Sequence, residues 1–134
     1  MDKINVLLVE DDPDDVELLE AAFNDNQIPF QLHVISQGDK VISYINDCEI
    51  LPDVIVLDLN LPKMHGREIL RSIKSYDRFK IVPVVILTTS STRHDCDYCM
   101  EAGAENYLVK PGTMAAYGKI VETIAGIAIA EKTK

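Results

Sequence analysis

Four segments of the chain place chemically selective side chains directly after runs of apolar residues. They are Glu10-Asp11-Asp12, Asp58, Thr88-Thr89-Ser90 and Lys110-Pro111. Carboxylates that lie close together repel one another unless a cation joins them, and carboxylates with a backbone carbonyl and water form the octahedral oxygen site that Mg²⁺ prefers. A carboxylate in such a site can attack phosphorus to give an aspartyl phosphate, while an ammonium and a hydroxyl bind the remaining phosphoryl oxygens. The residue types therefore indicate phosphoryl chemistry with Mg²⁺, provided that the fold brings the four segments together.

The elements that must position these segments follow a regular pattern. Short apolar runs alternate with segments of helical periodicity, as is typical of buried parallel strands joined by helices. The predicted strands are Ile4–Val9, Phe30–Ile35, Val54–Leu57, Val84–Leu87 and Tyr107–Val109. The predicted helices begin at Asp12-Pro13, after Gly38-Asp39, at Gly66, near Thr92 and at Met114, with the last ending near Ala130.

Strict alternation of strand and helix predicts an α/β fold with a parallel sheet and helices on both faces. Five such units favour a flavodoxin-like (βα)5 doubly wound sheet with strand order 2-1-3-4-5. In sheets of this kind the binding crevice lies outside the carboxyl ends of the strands. Strands one, three, four and five are then consecutive neighbours, so the four segments are expected to meet over one edge of the sheet.

The same segments resemble the motifs of response-regulator receiver domains. The resemblance is carried by Val9-Glu10-Asp11-Asp12, Leu57-Asp58-Leu59-Asn60-Leu61-Pro62, Leu87-Thr88-Thr89-Ser90 and Tyr107-Leu108-Val109-Lys110-Pro111. These motifs occur in the family's order, and the resemblance spans essentially the whole chain. It implies one receiver domain over residues 1–134 with no output domain. Lys63-Met64-His65-Gly66 and the stretch 75–80 further resemble the single-domain branch that includes phytochrome-type response regulators.

The resemblance implies a role for each carboxylate when it is carried over residue by residue. Asp58 would be the phosphoacceptor and a ligand of Mg²⁺. Asp11 would bind the ion directly, Glu10 would bind it through water, and the backbone carbonyl of Asn60 would be a further ligand. Asp12 lies one residue past the family's acidic pair, and we expect it to cap the first helix.

Three further residues would respond to the phosphoryl group. The resemblance implies that Thr88 hydrogen bonds to it and that Lys110 pairs with it. Tyr107 would be the aromatic switch that turns inward as Thr88 moves, although a plain core aromatic is an almost equally good interpretation of that residue. The Lys110–Pro111 peptide bond is expected to be cis, as is usual in the family.

The leading functional hypothesis is a stand-alone two-component response regulator. It would accept its phosphoryl group from a sensor histidine kinase and switch protein–protein binding, as a monomer or a weak homodimer. One alternative is a phosphorelay shuttle that passes the group to a histidine phosphotransferase. Another is a haloacid-dehalogenase-like phosphatase, an enzyme class that needs a second Asp two residues past the nucleophile. Asn60 occupies that position, so we expect a signalling domain rather than an enzyme.

Composition narrows the classes of partner. Thirteen Lys and Arg against twenty-two Asp and Glu give a net charge of −9, which disfavours direct binding to nucleic acid or anionic membranes. The chain shows no signal-peptide pattern and no apolar run of the roughly 18 residues needed to span a bilayer, so we expect a cytoplasmic protein. Cys96-Asp-Tyr-Cys99 has the form of a C-x-x-C motif, but two thiols one turn apart on a helix are the simpler interpretation.

Overall fold

Five β-strands alternate with five α-helices in the computed structural model, which describes residues 3–62 and 64–133. The strands are β1 (Ile4–Val9), β2 (Phe30–Ile35), β3 (Val54–Leu57), β4 (Val84–Thr88) and β5 (Asn106–Val109). The helices are α1 (Pro13–Asp25), α2 (Val41–Asp47), α3 (Gly66–Ser75), α4 (Arg93–Glu101) and α5 (Tyr117–Lys132), and a 3₁₀ turn at Gly38–Lys40 precedes α2. None of these helices combines the length and the apolar character that a bilayer span requires.

The strands form one parallel sheet in the order β2-β1-β3-β4-β5, which confirms the predicted flavodoxin-like topology. The register sets Val9 beside Leu57 and Leu57 beside Ile86, so β1, β3 and β4 end at a similar height. Every residue of β3 and β4 is buried. These two strands therefore form the centre of the hydrophobic core, and the residues that follow them lie at its edge.

The sheet separates two hydrophobic clusters. One cluster packs residues such as Leu57 and Ile86 against α2, α3 and α4. The other packs residues such as Val56 and Leu87 against α1 and α5. Neighbouring residues of one strand enter opposite clusters because successive side chains of a strand point to opposite faces.

The closing helix begins three residues later than the sequence predicted. Met114–Ala116 forms a turn, in which the backbone N–H of Tyr117 donates to the carbonyl of Met114 and that of Gly118 donates to Ala115. These are i→i+3 bonds, the tighter pattern that often precedes an α-helix. The predicted start at Met114 was therefore wrong by about one turn, since helical periodicity does not distinguish a preceding turn from the helix.

The expected cis peptide at Lys110–Pro111 was also wrong, because this bond is trans in the structure. A peptide bond before proline favours trans by about 0.5–1 kcal/mol unless its surroundings demand otherwise. Gly112, the next residue, has no atom within 4 Å of the position that a Cβ would take. The position after Pro111 therefore has room for a side chain.

A close approach of α3 to the end of β3 depends on Gly66. A Cβ at Gly66 would lie 2.4 Å from the carbonyl oxygen of Asp58 and 2.5 Å from the Cα of Leu59. The backbone N–H of Gly66 also donates to the carbonyl of Leu59, at 2.9 Å. Only glycine lets α3 begin directly against the segment that carries Asp58.

Gly66→Ala should destabilise the protein by about 1–3 kcal/mol, because the added methyl group meets backbone atoms that cannot move aside easily. Gly126→Ala is the matched control, since that glycine lies inside α5 with nothing within 4 Å of its would-be Cβ. It should stabilise the protein by about 0.5–1 kcal/mol through helix propensity. Urea unfolding measures both changes, and equal effects would show that α3 does not press against β3 as described.

Candidate functional site

Asp58 lies directly after β3, and its carboxylate is held from two sides. The residue is 5% exposed, and its backbone N–H donates to the carbonyl of Val9, at 3.1 Å. Its Oδ1 accepts from the backbone N–H of Asn60 at 3.2 Å, and its Oδ2 accepts from Lys110 Nζ at 2.9 Å. The side chain is thus fixed in one orientation at the edge of the sheet formed by the carboxyl ends of the strands. We call this edge, where Glu10, Asp11, Asp58 and Lys110 lie, the rim.

Glu10 and Asp11, which follow β1, bring two more carboxylates to the same rim. Glu10 is 4% exposed, whereas Asp11 is exposed. One carboxylate oxygen from each of Glu10, Asp11 and Asp58 lies within 4.8 Å of the others. Burial raises the pKa of the Glu10 carboxyl to about 7, against a hydrogen bond from Lys110 and with the support of the nearby charge of Asp58. A cation at this rim would relieve both the burial cost and the repulsion.

Lys110, which follows β5, is the counter-charge of the rim. Its side chain is 8% exposed, and its Nζ lies 2.7 Å from Glu10 Oε1, 2.7 Å from Asp15 Oδ2 and 2.9 Å from Asp58 Oδ2. Burial favours the neutral amine, but the hydrogen bonds to Asp15, Glu10 and Asp58 outweigh it and raise the pKa of Lys110 above its ordinary value. An ammonium has three N–H donors; that of Lys110 donates to Asp15 and Asp58 and forms an ion pair with Glu10.

Asp15 is the site residue that the sequence reasoning missed. Acids in the first turn of a helix commonly act as favourable charges near its N-terminus, and Asp15 has the sequence position of such an acid. The available signal was spacing: Asp15 lies four residues before Leu19, a buried residue of α1, and so shares the inward face of that helix. A carboxylate on the buried face of a helix needs a partner, and Lys110 is that partner.

Thr88 ends β4 and is completely buried, whereas Thr89 is exposed. Among the described residues, the Thr88 hydroxyl is a buried side-chain oxygen that lacks a hydrogen-bond partner. Its backbone carbonyl accepts from the N–H of Lys110, at 2.8 Å. An unsatisfied buried hydroxyl costs about 1–3 kcal/mol, so Thr88 retains an unused donor beside the loop that carries Lys110.

Tyr107 lies on β5, half-buried against the α3 and α4 face of the sheet. Its hydroxyl donates to the carbonyl of Ser90, at 2.8 Å. The Ser90 hydroxyl in turn donates to Asp95 at the start of α4, at 2.6 Å. Tyr107 therefore both packs against the core and contacts the loop that begins after Thr88, which agrees with either interpretation of this aromatic.

Three further points of the sequence analysis concern Asp12, Asn60 and the pair of cysteines. Asp12 caps α1, since its Oδ1 accepts from the backbone N–H of Asp14 at 2.9 Å, as predicted. Asn60 is exposed, and its N–H holds Asp58. Cys96 and Cys99 lie on α4 as free thiols, in agreement with the simpler interpretation of that pair.

The donor set fits a hard divalent cation. Three carboxylates converge at the rim, with oxygen atoms as the only side-chain ligands in the group. Oxygen ligands suit Mg²⁺ or Mn²⁺ rather than the softer metals that thiolates select. The rim could therefore hold such an ion through Asp11 and Asp58, with Glu10 close enough to contribute.

Comparison with known proteins agrees with the fold. Residues 6–122 match the family model described as the response regulator receiver domain. The probable methanogenesis regulatory protein FilR2 of Methanothrix harundinacea is 32% identical over 127 residues, covering 92% of this chain and 82% of that protein. The response regulator Rcp1 of a Synechocystis species is 33% identical over 124 residues, covering 89% of this chain and 84% of that protein.

Solved structures give the same result. The phosphorylated cyanobacterial phytochrome response regulator RcpA superimposes with a TM-score of 0.86 at 30% identity, covering 96% of this chain and 95% of that chain. The Mn²⁺-bound form of Rcp1 has a TM-score of 0.81 at 32% identity, covering 90% and 91% of the two chains. The sheet order, the acidic rim and these similarities have one explanation: the chain belongs to the response-regulator receiver domain family.

Proposed function

We propose that this receiver domain accepts a phosphoryl group on Asp58 from a sensor histidine kinase, with Mg²⁺, and that phosphorylation changes its binding to a partner protein. The observation that carries the proposal is the fixed position of Asp58 Oδ2, 2.9 Å from the ammonium of Lys110 and within the carboxylate group at the rim. A strand-end aspartate with a structural role alone would not need both a buried ammonium and two further acids beside it.

In the proposed reaction, an oxygen of the Asp58 carboxylate attacks the phosphorus of a phosphohistidine. The new O–P bond forms as the P–N bond breaks, and the departing imidazole takes up a proton. The N–H of Asn60, which holds Oδ1, keeps the carboxylate from rotating, so that one oxygen presents to the donor. Such positioning is a large part of catalysis in phosphoryl transfer.

Asp11, Asp58, Glu10 through water and the backbone carbonyl of Asn60 would hold the Mg²⁺. When bound, the ion supplies positive charge next to the incoming phosphoryl oxygens. Rcp1, a relative at 32% identity, has been solved in a Mn²⁺-bound form, which supports a divalent ion at this rim. Burial, which raises the pKa of Glu10 to about 7, makes its charged form costly, and a bound cation would offset part of that cost.

The remaining phosphoryl oxygens would be bound by Lys110 and Thr88. Lys110 already donates to Asp58 Oδ2, so a phosphoryl group on that oxygen enters the reach of its ammonium. Thr88 contributes the buried hydroxyl that lacks a partner. Its movement toward the phosphoryl group would leave space for Tyr107, whose hydroxyl now holds the carbonyl of Ser90. The loop before α4 is then the two-state element that alters the outer surface.

Asp58→Asn should abolish labelling by acetyl phosphate in the presence of Mg²⁺, because the amide is a far poorer nucleophile. EDTA should abolish labelling of the wild type. Asp53→Asn, at the opposite end of β3, is the control and should still be labelled. Mass spectrometry of the intact protein and mapping of the modified residue measure these outcomes; full labelling of Asp58→Asn would show that another residue accepts the phosphate.

Mg²⁺ should raise the free energy of unfolding by about 2.7 kcal/mol at a concentration of about 100 Kd, by simple linkage. Asp11→Ala should remove most of this gain because it deletes a proposed direct ligand. Asp14→Ala removes a nearby exposed acid outside the carboxylate group and should keep the gain. Thermal melts with and without Mg²⁺ test the pair, and an unchanged shift in Asp11→Ala would place the ion elsewhere.

Thr88→Val should stabilise the unphosphorylated protein by about 1–3 kcal/mol, because it replaces an unsatisfied buried hydroxyl with a methyl group. It should also reduce the change in partner binding that the phosphate mimic beryllofluoride produces. Thr89→Val, on the exposed neighbour, should change stability by less than about 0.5 kcal/mol. Urea unfolding and binding to the partner kinase measure the two effects. If wild type changes no association yet passes phosphate readily to a histidine phosphotransferase, the shuttle replaces the switch.

A further inference from the structure

Asp15 joins the start of α1 to the loop after β5. Its Oδ2 lies 2.7 Å from Lys110 Nζ, and its side chain is 23% exposed. The two residues are 95 positions apart in the chain. Asp15 also faces Tyr117 at the start of α5, where burial and then the charge of Asp15 raise the pKa of the tyrosine. The Asp15 carboxylate is therefore paired with Lys110 at the rim and is not a fully solvated acid of the first helical turn.

The carboxylates that surround Lys110 are not equivalent. Glu10 and Asp58 belong to the group whose oxygens could hold a cation, and Asp15 does not. The Nζ of Lys110 donates to Asp15 and Asp58 and forms a further ion pair with Glu10, whose Oε1 lies 2.7 Å away. A phosphoryl group on Asp58 would add acceptor oxygens without adding donors, so the ammonium would be shared between those oxygens and Asp15.

Electrostatic repulsion between Asp15 and a phosphorylated Asp58 would also oppose the phosphorylated state. Asp15 Oδ2 and Asp58 Oδ2 accept from the same nitrogen, at 2.7 and 2.9 Å, so they are close neighbours. Phosphorylation makes the Asp58 side chain more negative, and like charges at short range destabilise one another. Asp15 would therefore oppose the phosphorylated state both by repulsion and by retaining part of the ammonium.

We propose that Asp15 is a positioning residue that holds Lys110 in the unphosphorylated state and weakens the interaction of Lys110 with the phosphoryl group. The proposal rests on phosphorylation of Asp58 as described above. It makes α1, through Asp15, a determinant of how firmly the modified state is held. The geometry supplies the basis: one buried ammonium, one acceptor from α1, and one acceptor that carries the phosphoryl group.

The test is the affinity for beryllofluoride at saturating Mg²⁺, so that any change in metal binding does not enter. Asp15→Asn keeps a side chain of the same shape and an acceptor oxygen but removes the charge, and charge-assisted hydrogen bonds are about twice as strong as neutral ones. We expect Asp15→Asn to bind the mimic about three- to tenfold more tightly than wild type. Asp15→Glu restores the charge and should return the affinity toward that of wild type.

Asp14→Asn is the matched control. Asp14 lies next to Asp15 in the same turn of α1, is exposed, and shows no ion pair of its side chain in the described part of the chain. Asp14→Asn removes the same charge from the protein as Asp15→Asn does. It should change the affinity for beryllofluoride by less than about twofold, because charge at an exposed site is screened by solvent. A purely structural role for Asp15 would not produce tighter binding.

A second readout does not involve phosphorylation. The side-chain ammonium of Lys110 should exchange its protons faster with water in Asp15→Asn than in Asp14→Asn, as measured by NMR of ¹⁵N-labelled lysine. Equal exchange in the two variants, or equal or weaker mimic binding by Asp15→Asn, overturns the role of Asp15 and leaves phosphorylation of Asp58 intact. If wild type neither binds the mimic nor is labelled at Asp58, the proposed function fails and this inference fails with it.

Discussion

The site depends on a single buried ammonium that is shared by three carboxylates. Glu10, Asp15 and Asp58 approach the rim from β1, α1 and β3, and each would face uncompensated negative charge without Lys110. Removing one partner of a buried ion pair typically costs about 3–5 kcal/mol. The ion pairs of Lys110 therefore constrain the positions of the carboxyl ends of β1 and β3 and of the start of α1. The nearby backbone contacts, from the N–H of Asn60 to Asp58 and from the N–H of Lys110 to Thr88, then fix the orientation of the groups.

One polar group near the rim, the hydroxyl of Thr88, lacks a hydrogen-bond partner in the described part of the chain. Thr88 is buried with an unsatisfied hydroxyl, although native proteins usually satisfy such groups. Departures from local rules of this kind are expected at functional or strained sites. The rim therefore combines two unlike groups: the ammonium of Lys110, which is paired with three carboxylates, and the Thr88 hydroxyl, which has no hydrogen-bond partner in the described part of the chain.

The sequence predicted the sheet and the carboxylates at its rim because both follow from local patterns. Apolar runs define strands, and residues such as Glu10, Asp58 and Lys110 come directly after those runs, where a parallel sheet collects them. Asp15 does not follow an apolar run; its spacing from Leu19 places it on the inward face of α1, but its partner, Lys110, lies 95 positions away and is revealed only by the fold. The start of α5 depends on i→i+3 bonding in the preceding turn, which leaves no periodic trace, and the Lys110–Pro111 peptide has the trans form that bonds before proline generally favour.

The two hydrophobic clusters on opposite faces of the sheet have a consequence for how the protein can change. Side chains that pack around Ile86 and those that pack around Val56 are separated by a layer of backbone. Substitutions that are far apart and share no partners usually combine additively. The packing against α1 and α5 can therefore vary with little effect on the packing against α2, α3 and α4. A single five-stranded sheet thus lets the two halves of the core of this small domain change separately.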